Sequence, residues 1–161
     1  MHQVMEIIRK KPPVFLVISV GYALGVGMVK WGIPSDSLRA SAWPPEAFLY
    51  FAGAMIGVYF LDGAEAFFAI TPSPFRSIVF MTGFAVVSFF VVTSSASFIG
   101  SGLVLSLYLS LLLWQIGELQ VTGSLASWYR MAAGVPSTAG QRWVLIALGA
   151  IFFIETYLFV R

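Results

Sequence analysis

Residues 77–121 read SIVFMTGFAVVSFFVVTSSASFIGSGLVLSLYLSLLLWQIGELQV and carry no charged side chain before Glu118. This apolar stretch is too long for one crossing of a hydrocarbon core of about 30 Å, which needs about 20 helical residues. The Ile-Gly-Ser-Gly sequence at 99–102 is a natural turn, because glycine and serine punctuate helices. The stretch therefore predicts a hairpin of two membrane helices, at about 77–98 and 102–121.

The composition of the whole chain indicates the same environment. Of its 161 residues, 59% are hydrophobic and 10% are charged, against about half and a quarter in soluble domains. A soluble domain of this size could not bury so much apolar surface. We therefore expect a single transmembrane domain over residues 1–161, embedded in the lipid bilayer of a cell (plasma or inner) membrane.

Proline positions divide the rest of the chain. All eight prolines lie outside the long apolar runs, and proline breaks helices. Three further membrane helices are predicted at about 14–31, 47–70 and 143–160, which gives an all-α bundle of about five transmembrane helices. Residues 124–132 predict either a short helix on the membrane surface or an ordered loop.

Basic residues are distributed unevenly between the two sides of this bundle. With a cytoplasmic N-terminus, the inner side carries six lysines and arginines and the outer side carries three. Cytoplasmic loops are enriched in these residues, so we predict the N-terminus inside and the C-terminus outside. The inner residues are Arg9, Lys10, Lys11, Arg76, Arg130 and Arg142, and the outer residues are Lys30, Arg39 and Arg161. Trp31 and Trp43 would then mark the outer interface, and Trp128 and Trp143 the inner one.

Several function classes are disfavoured by what the sequence lacks. There is no cysteine, and the one histidine, His2, precedes the first apolar run. We therefore expect no disulfide, haem or zinc site. No nucleophile–base pair, phosphate loop or metal-hydrolase motif is present. Because no basic run exceeds the three residues Arg9 to Lys11, we expect no nucleic-acid partner.

Two pairs of polar residues lie in the inner half of the predicted membrane helices. Asp62 precedes Glu65 by three residues on the second helix, and Gln115 precedes Glu118 by three residues on the fourth. Residues three apart share a helix face. If the two faces meet, three carboxyls and an amide form an ion-binding or proton-binding site. Its oxygen ligands would suit Na⁺, Mg²⁺ or Ca²⁺, and a protonated carboxyl would suit proton coupling.

An alternative gives these acids a structural role. Glu65 and Glu118 lie near the inner interface, where they could instead pair with Arg76, Arg130 or Arg142. Asp62 is deeper, about 12 Å from the helix end. Its short side chain cannot reach the headgroups, and a charge at mid-bilayer costs about 2.5–3.5 kcal/mol. Asp62 is therefore the acid that most needs a partner.

The outer half contains a second predicted pair. Glu155 lies about 9 Å from the outer end of the last helix, and Lys30 ends the first helix at a compatible depth. We predict that Lys30 and Glu155 form a structural ion pair. Thr93, Ser94, Ser95 and Ser97 lie at the same side. Hydroxyls in membrane helices usually bond to their own backbone, although a polar vestibule is the alternative.

Small residues four apart predict close helix packing. Gly21 and Gly25 lie on the first helix, and Gly53 and Gly57 on the second. Such glycines let helix backbones approach. They would serve either contacts between copies of the chain or packing within the bundle.

These features support three hypotheses about function. The first is a channel or transporter component, expected to be a homo-oligomer, that handles a cation or a proton through Asp62, Glu65 and Glu118. The second is a non-catalytic scaffold or accessory subunit that docks a larger membrane partner. The third, ranked last, is a lipid-active enzyme with a divalent metal, so the chain is not expected to be an enzyme.

Overall fold

The structure is a computed structural model that describes residues 13–32, 43–68 and 73–161. Every regular element within these ranges is helical. Helices that are long and apolar enough to cross a membrane confirm the predicted all-α membrane bundle. The helices are α1 at Pro13–Trp31, α2 at Pro45–Phe68, α3 at Ile78–Ser94, α4 at Phe98–Thr122 and α5 at Thr138–Val160, with a short 3-10 helix at Ala126–Tyr129.

The helices alternate in direction, so the last residues of α1, α3 and α5 lie at the same end of the bundle as the first residues of α2 and α4. The end where α2 finishes and α3 begins is called the Arg76 end, and the opposite end is called the Lys30 end. Four helices have the length of a membrane span, whereas α3 has only 17 residues. At 1.5 Å per residue α3 is about 25 Å long, slightly short of a typical hydrocarbon core.

The turn of the α3–α4 hairpin lies earlier than the sequence predicted. α3 ends at Ser94 and α4 begins at Phe98. Ser97 provides the reason, because its Oγ accepts a hydrogen bond from Gly100 N at 3.1 Å and so caps α4. The Gly-Ser-Gly sequence predicted to form the turn is instead the first part of α4.

Those glycines have a packing role. A Cβ atom placed on Gly102 would lie 2.1 Å from the carbonyl oxygen of Tyr50 on α2. On the facing side, a Cβ on Gly53 would lie 2.0 Å from Ile99 O, and one on Gly57 would lie 2.3 Å from Leu103 O. No side chain fits these positions, so α2 and α4 pack backbone to backbone. For Gly53 and Gly57, packing within the bundle is therefore the observed role.

α4 is the central helix, and α1 and α5 lie at the edge. In the apolar span of α4 67% of the residues are buried, against 22% in α1 and 22% in α5. The glycines of α1 agree with its position at the edge of the bundle. A Cβ on Gly21 or Gly25 would meet no atom of the described chain within 4 Å. Both glycines lie on the outward face of the helix.

The connection between α4 and α5 is ordered by one side chain of α5. The Gln141 amide oxygen accepts from Leu125 N at 2.6 Å, and its amide nitrogen donates to Pro136 O at 3.0 Å. The short 3-10 helix in this connection buries Trp128 and Tyr129 against the bundle. Of the two predictions for residues 124–132, the structure is closer to an ordered loop, and Trp128 packs inward.

Candidate functional site

Arg76 contacts the two acids in the second half of α2, Asp62 and Glu65. It lies just before Ser77, whose Oγ accepts from Phe80 N and caps α3. From there the guanidinium reaches back to the last turns of α2. Arg76 Nε and Nη2 donate to the two oxygens of Glu65, both at 2.8 Å, and Nη2 also lies 3.6 Å from Asp62 Oδ1. The planar guanidinium matches a carboxylate at two points, which makes the Glu65 contact the stronger one.

The other face of Arg76 rests on an aromatic ring. Its guanidinium carbon lies 4.2 Å from the ring centroid of Trp114 on α4. Trp114 in turn meets Phe15 of α1 edge to face, with ring centroids 5.3 Å apart. A cation over a tryptophan face is attracted by the ring's electron density, more strongly where water is scarce. Arg76 therefore ties α2, α3, α4 and, through Phe15, α1 together at this end of the bundle.

Glu118 has separate partners. Trp128 Nε1 donates to Glu118 Oε2 at 2.9 Å, and Ser127 Oγ donates to the other oxygen. Both donors belong to the 3-10 helix that follows α4, so this acid holds the connection against its own helix. Burial raises the pKa of the neighbouring Tyr129 phenol above its ordinary value. The sequence named Arg76, Arg130 and Arg142 as possible partners, but uncharged donors bind Glu118.

Gln115 does not join either set of contacts. Its side chain is 1% exposed, yet neither amide atom has a hydrogen-bond partner within the described ranges. Nor do any three acids of these ranges form a group that could hold a metal ion. The cluster expected from Asp62, Glu65, Gln115 and Glu118 is therefore divided into two separate sets of hydrogen bonds, with the amide outside both.

The predicted ion pair between Lys30 and Glu155 is wrong. Lys30 Nζ donates to the backbone carbonyl of Phe159 and lies 4.5 Å from the centroid of that ring. Phe159 is one helical turn beyond Glu155, closer to the Lys30 end. The lysine stem thus extends toward the membrane surface, where the hydration cost of its charge is lower.

Glu155 instead faces Ser88 of α3. It is fully buried, and its two oxygens lie 3.0 and 2.8 Å from Ser88 Oγ. Ser88 Oγ also lies 3.1 Å from the Ala85 carbonyl oxygen. The next residue of α5, Thr156, shares a 2.7 Å hydrogen bond with Tyr22 of α1. Within the described ranges no cation bonds to Glu155, so its charge is not compensated by an ion pair.

The structure also shows why some of these residues escape sequence reasoning. Ser88 lies in the middle of α3 with only apolar residues three and four positions away, so spacing does not indicate its partner. Gln141 is an amide in the first turn of α5, and its partners Leu125 and Pro136 lie in the preceding connection. The hydroxyls at 93 and 95 behave as expected, donating to Phe89 O at 2.7 Å and Val91 O at 2.6 Å.

Together these observations define a membrane-embedded helical bundle whose acids are mostly bonded within the chain. The chain matches no known protein family, no curated protein and no solved structure. Function must therefore be argued from its own residues.

Proposed function

We propose that this chain is a non-catalytic scaffold or accessory subunit of a cell (plasma or inner) membrane, and that α1 docks a helix of a larger partner. The observation that carries the proposal is that, within the described ranges, the glycine pair of α2 contacts another helix and the glycine pair of α1 does not. Gly53 and Gly57 contact α4, whereas Gly21 and Gly25 have no contact with another helix among the residues that the structure describes. Close approach of a second membrane helix is what glycines at this spacing permit.

The outward face of α1 has a shape suited to such a contact. Val17, Gly21, Gly25 and Met28 follow one another at helical spacing, so the two glycines form a shallow groove between larger side chains. Val17 and Met28 are 72% and 45% exposed. Helix association in lipid depends on packing of this kind rather than on the hydrophobic effect.

The polar contacts support the same proposal over the transport hypothesis. Asp62 and Glu65 share Arg76, and Glu118 accepts from Ser127 and Trp128. An ion that entered here would have to displace these donors. These acids are therefore bound by donors of the chain itself, and this structural role competes with the binding of an ion.

The test is photo-crosslinking in native membranes. A benzophenone amino acid is placed at the exposed Val17, with Val86 on the exposed face of α3 as the control. We expect a discrete adduct with another membrane protein from position 17 and none from position 86. Gly21→Ile with Gly25→Ile should abolish the adduct, since the added side chains fill the groove. Gly83→Ile, at an open position of α3, should leave it.

Two results would contradict the scaffold proposal. Adducts to lipid alone would mean that α1 has no protein partner. Adducts only to a second copy of the chain, with a symmetric homo-oligomer on purification, would instead support the oligomeric channel or transporter.

A second candidate function rests on Glu155. It is the one acid of the described ranges that is fully buried, and an acid at such a position marks a proton pathway in many membrane proteins. We propose as the alternative that Glu155 binds a transferable proton. Infrared spectroscopy of its carboxyl group tests this.

A further inference from the structure

A polar cavity opens at the Lys30 end of the bundle, where α1 and α5 end and α4 begins. Its volume is about 190 Å³, and its polar lining consists of Lys30, Ser97, Ser101 and Arg161. We call it the Lys30 cavity. All four residues are at or near helix ends, so the cavity lies at the depth of the lipid headgroups.

The cavity has an excess of positive charge. Two of its lining residues are cationic, and none is acidic. Lys30 contacts the Phe159 carbonyl and ring but forms no ion pair with any described residue. An ammonium group has three N–H donors, so further donors remain after that hydrogen bond. Arg161 likewise has no acidic partner within the described ranges, and its side chain is exposed.

Its hydroxyl groups are placed to donate. Ser101 is 4% exposed and lines the cavity. A hydroxyl group at the cavity wall can donate to a ligand that offers an acceptor oxygen. Ser97 Oγ accepts from Gly100 N, which leaves its own proton free to donate.

The start of α4 adds a further favourable field. α4 has 25 residues and begins at Phe98, directly beside the cavity. The first N–H groups of a helix carry partial positive charge, which attracts anions. The ends of α1 and α5 bring the opposite partial charge to the same space, but both side-chain charges there are cationic. The cations, the hydroxyl donors and the N-terminus of α4 each favour an anion with several oxygen atoms.

We propose that the Lys30 cavity binds a phosphate group, supplied by the headgroup of an anionic phospholipid. Phosphate offers several acceptor oxygens for the ammonium, the guanidinium and the two hydroxyls at once. The headgroup depth of the cavity favours lipid over dissolved phosphate. This site is independent of the docking face of α1, which lies on the outward side of a single helix.

The experiment measures thermal unfolding of the detergent-purified chain by tryptophan fluorescence. Phosphatidylglycerol, phosphatidylcholine and inorganic phosphate are titrated separately. A ligand that binds only the folded state stabilises it by RT ln(1 + L/Kd), where L is the free ligand concentration, so the Tm rises with that concentration. We expect phosphatidylglycerol to raise the Tm and phosphatidylcholine to leave it nearly unchanged. Inorganic phosphate distinguishes the two possible sources of the phosphate group. A rise in Tm with inorganic phosphate alone would identify dissolved phosphate as the ligand, and a rise with phosphatidylglycerol alone would identify the lipid.

Three variants show whether the cavity is the site. Lys30→Gln should weaken phosphatidylglycerol binding about tenfold or more, because it removes a charged hydrogen-bond donor. Ser101→Ala keeps every charge and the fold, and should weaken binding several-fold through the lost hydroxyl. Arg130→Gln removes an exposed cation at the opposite end and should bind as the wild type does.

The proposal is overturned if Ser101→Ala and Lys30→Gln respond to phosphatidylglycerol as the wild type does. It is also overturned if Arg130→Gln weakens binding as much as Lys30→Gln, since the effect would then be one of net charge. If Lys30→Gln fails to fold, Ser101→Ala alone decides the matter.

Discussion

At the scale of single residues, the acids of this bundle differ in what surrounds them. Glu65 accepts two hydrogen bonds from the Arg76 guanidinium, and Asp62 lies 3.6 Å from the same group. Glu155 has a serine hydroxyl. An ion pair offsets the cost of burying a charge, whereas one hydroxyl does so only in part. The two environments should therefore hold carboxyl groups in different protonation states.

The hydrogen bonds around Ser88 predict that the Glu155 carboxyl group is protonated and neutral. Its O–H then donates to Ser88 Oγ, and the Ser88 proton is free to donate to Ala85 O, which accounts for the 2.8 and 3.1 Å contacts together. We expect the infrared spectrum at neutral pH to contain a protonated carboxyl band that Glu155→Gln removes. Glu65→Gln, the control, should remove only a carboxylate band.

The same measurement decides whether the proton is transferable. If Glu155 handles protons, its band shifts when the sample is transferred to heavy water. A spectrum without the band would show an ionised Glu155. A band that does not shift would mean that the Glu155 proton does not exchange and that the acid has a structural role. A missing band and an unshifted band would each contradict the proton-handling function.

At the scale of the helices, glycine sets the distance between α2 and α4. A methyl group on Gly102 would lie 2.1 Å from Tyr50 O and 2.9 Å from Ala54 N, both backbone atoms. We therefore predict that Gly102→Ala lowers the free energy of unfolding by about 2 kcal/mol or more through overpacking. Gly83→Ala is the matched control, because its methyl meets open space. It should be neutral or stabilising by up to about 1 kcal/mol.

Reversible unfolding in mixed detergent micelles measures both changes. Equal effects of Gly102→Ala and Gly83→Ala would mean that the close approach of α2 and α4 is not needed for stability.

The helices were predictable from the sequence, but the α3–α4 turn was not. Long apolar runs and prolines locate membrane helices because the bilayer requires both length and backbone hydrogen bonding. A glycine, however, marks a turn and a close helix contact equally well. The sequence therefore predicts a turn at Gly102, whose observed role is close packing against α2. Ser97, with the hydroxyls at 93–95 before it, was the better signal, because serine is a preferred N-cap residue.

The candidate site was less predictable than the fold, for a related reason. Spacing shows which residues share a helix face, as it did for Asp62 with Glu65. It does not show how far that helix is rotated toward each neighbour. That rotation is set by the packing of α2 on α4, which places Arg76 on the acids and leaves Gln115 buried without a partner.

At the scale of the whole molecule, orientation in the membrane decides which leaflet each end meets. Arg76, Arg130 and Arg142 are at one end of the bundle, and Lys30 and Arg161 are at the other. The excess of basic residues predicts that the Arg76 end is cytoplasmic. The Lys30 cavity would then face the outer leaflet.

Cysteine labelling tests this orientation, and the cysteine-free sequence gives it no background. Gly134 in the α4–α5 connection and Ser94 at the end of α3 are both exposed, and they belong to opposite ends. We expect a membrane-impermeant maleimide to label Ser94→Cys in intact cells, and Gly134→Cys only after permeabilisation, because the membrane shields the cytoplasmic end. The reverse pattern would place the Arg76 end outside and turn the Lys30 cavity toward the cytoplasmic leaflet, where anionic lipids concentrate. Labelling of both variants in intact cells would instead mean that the basic residues do not fix a single orientation.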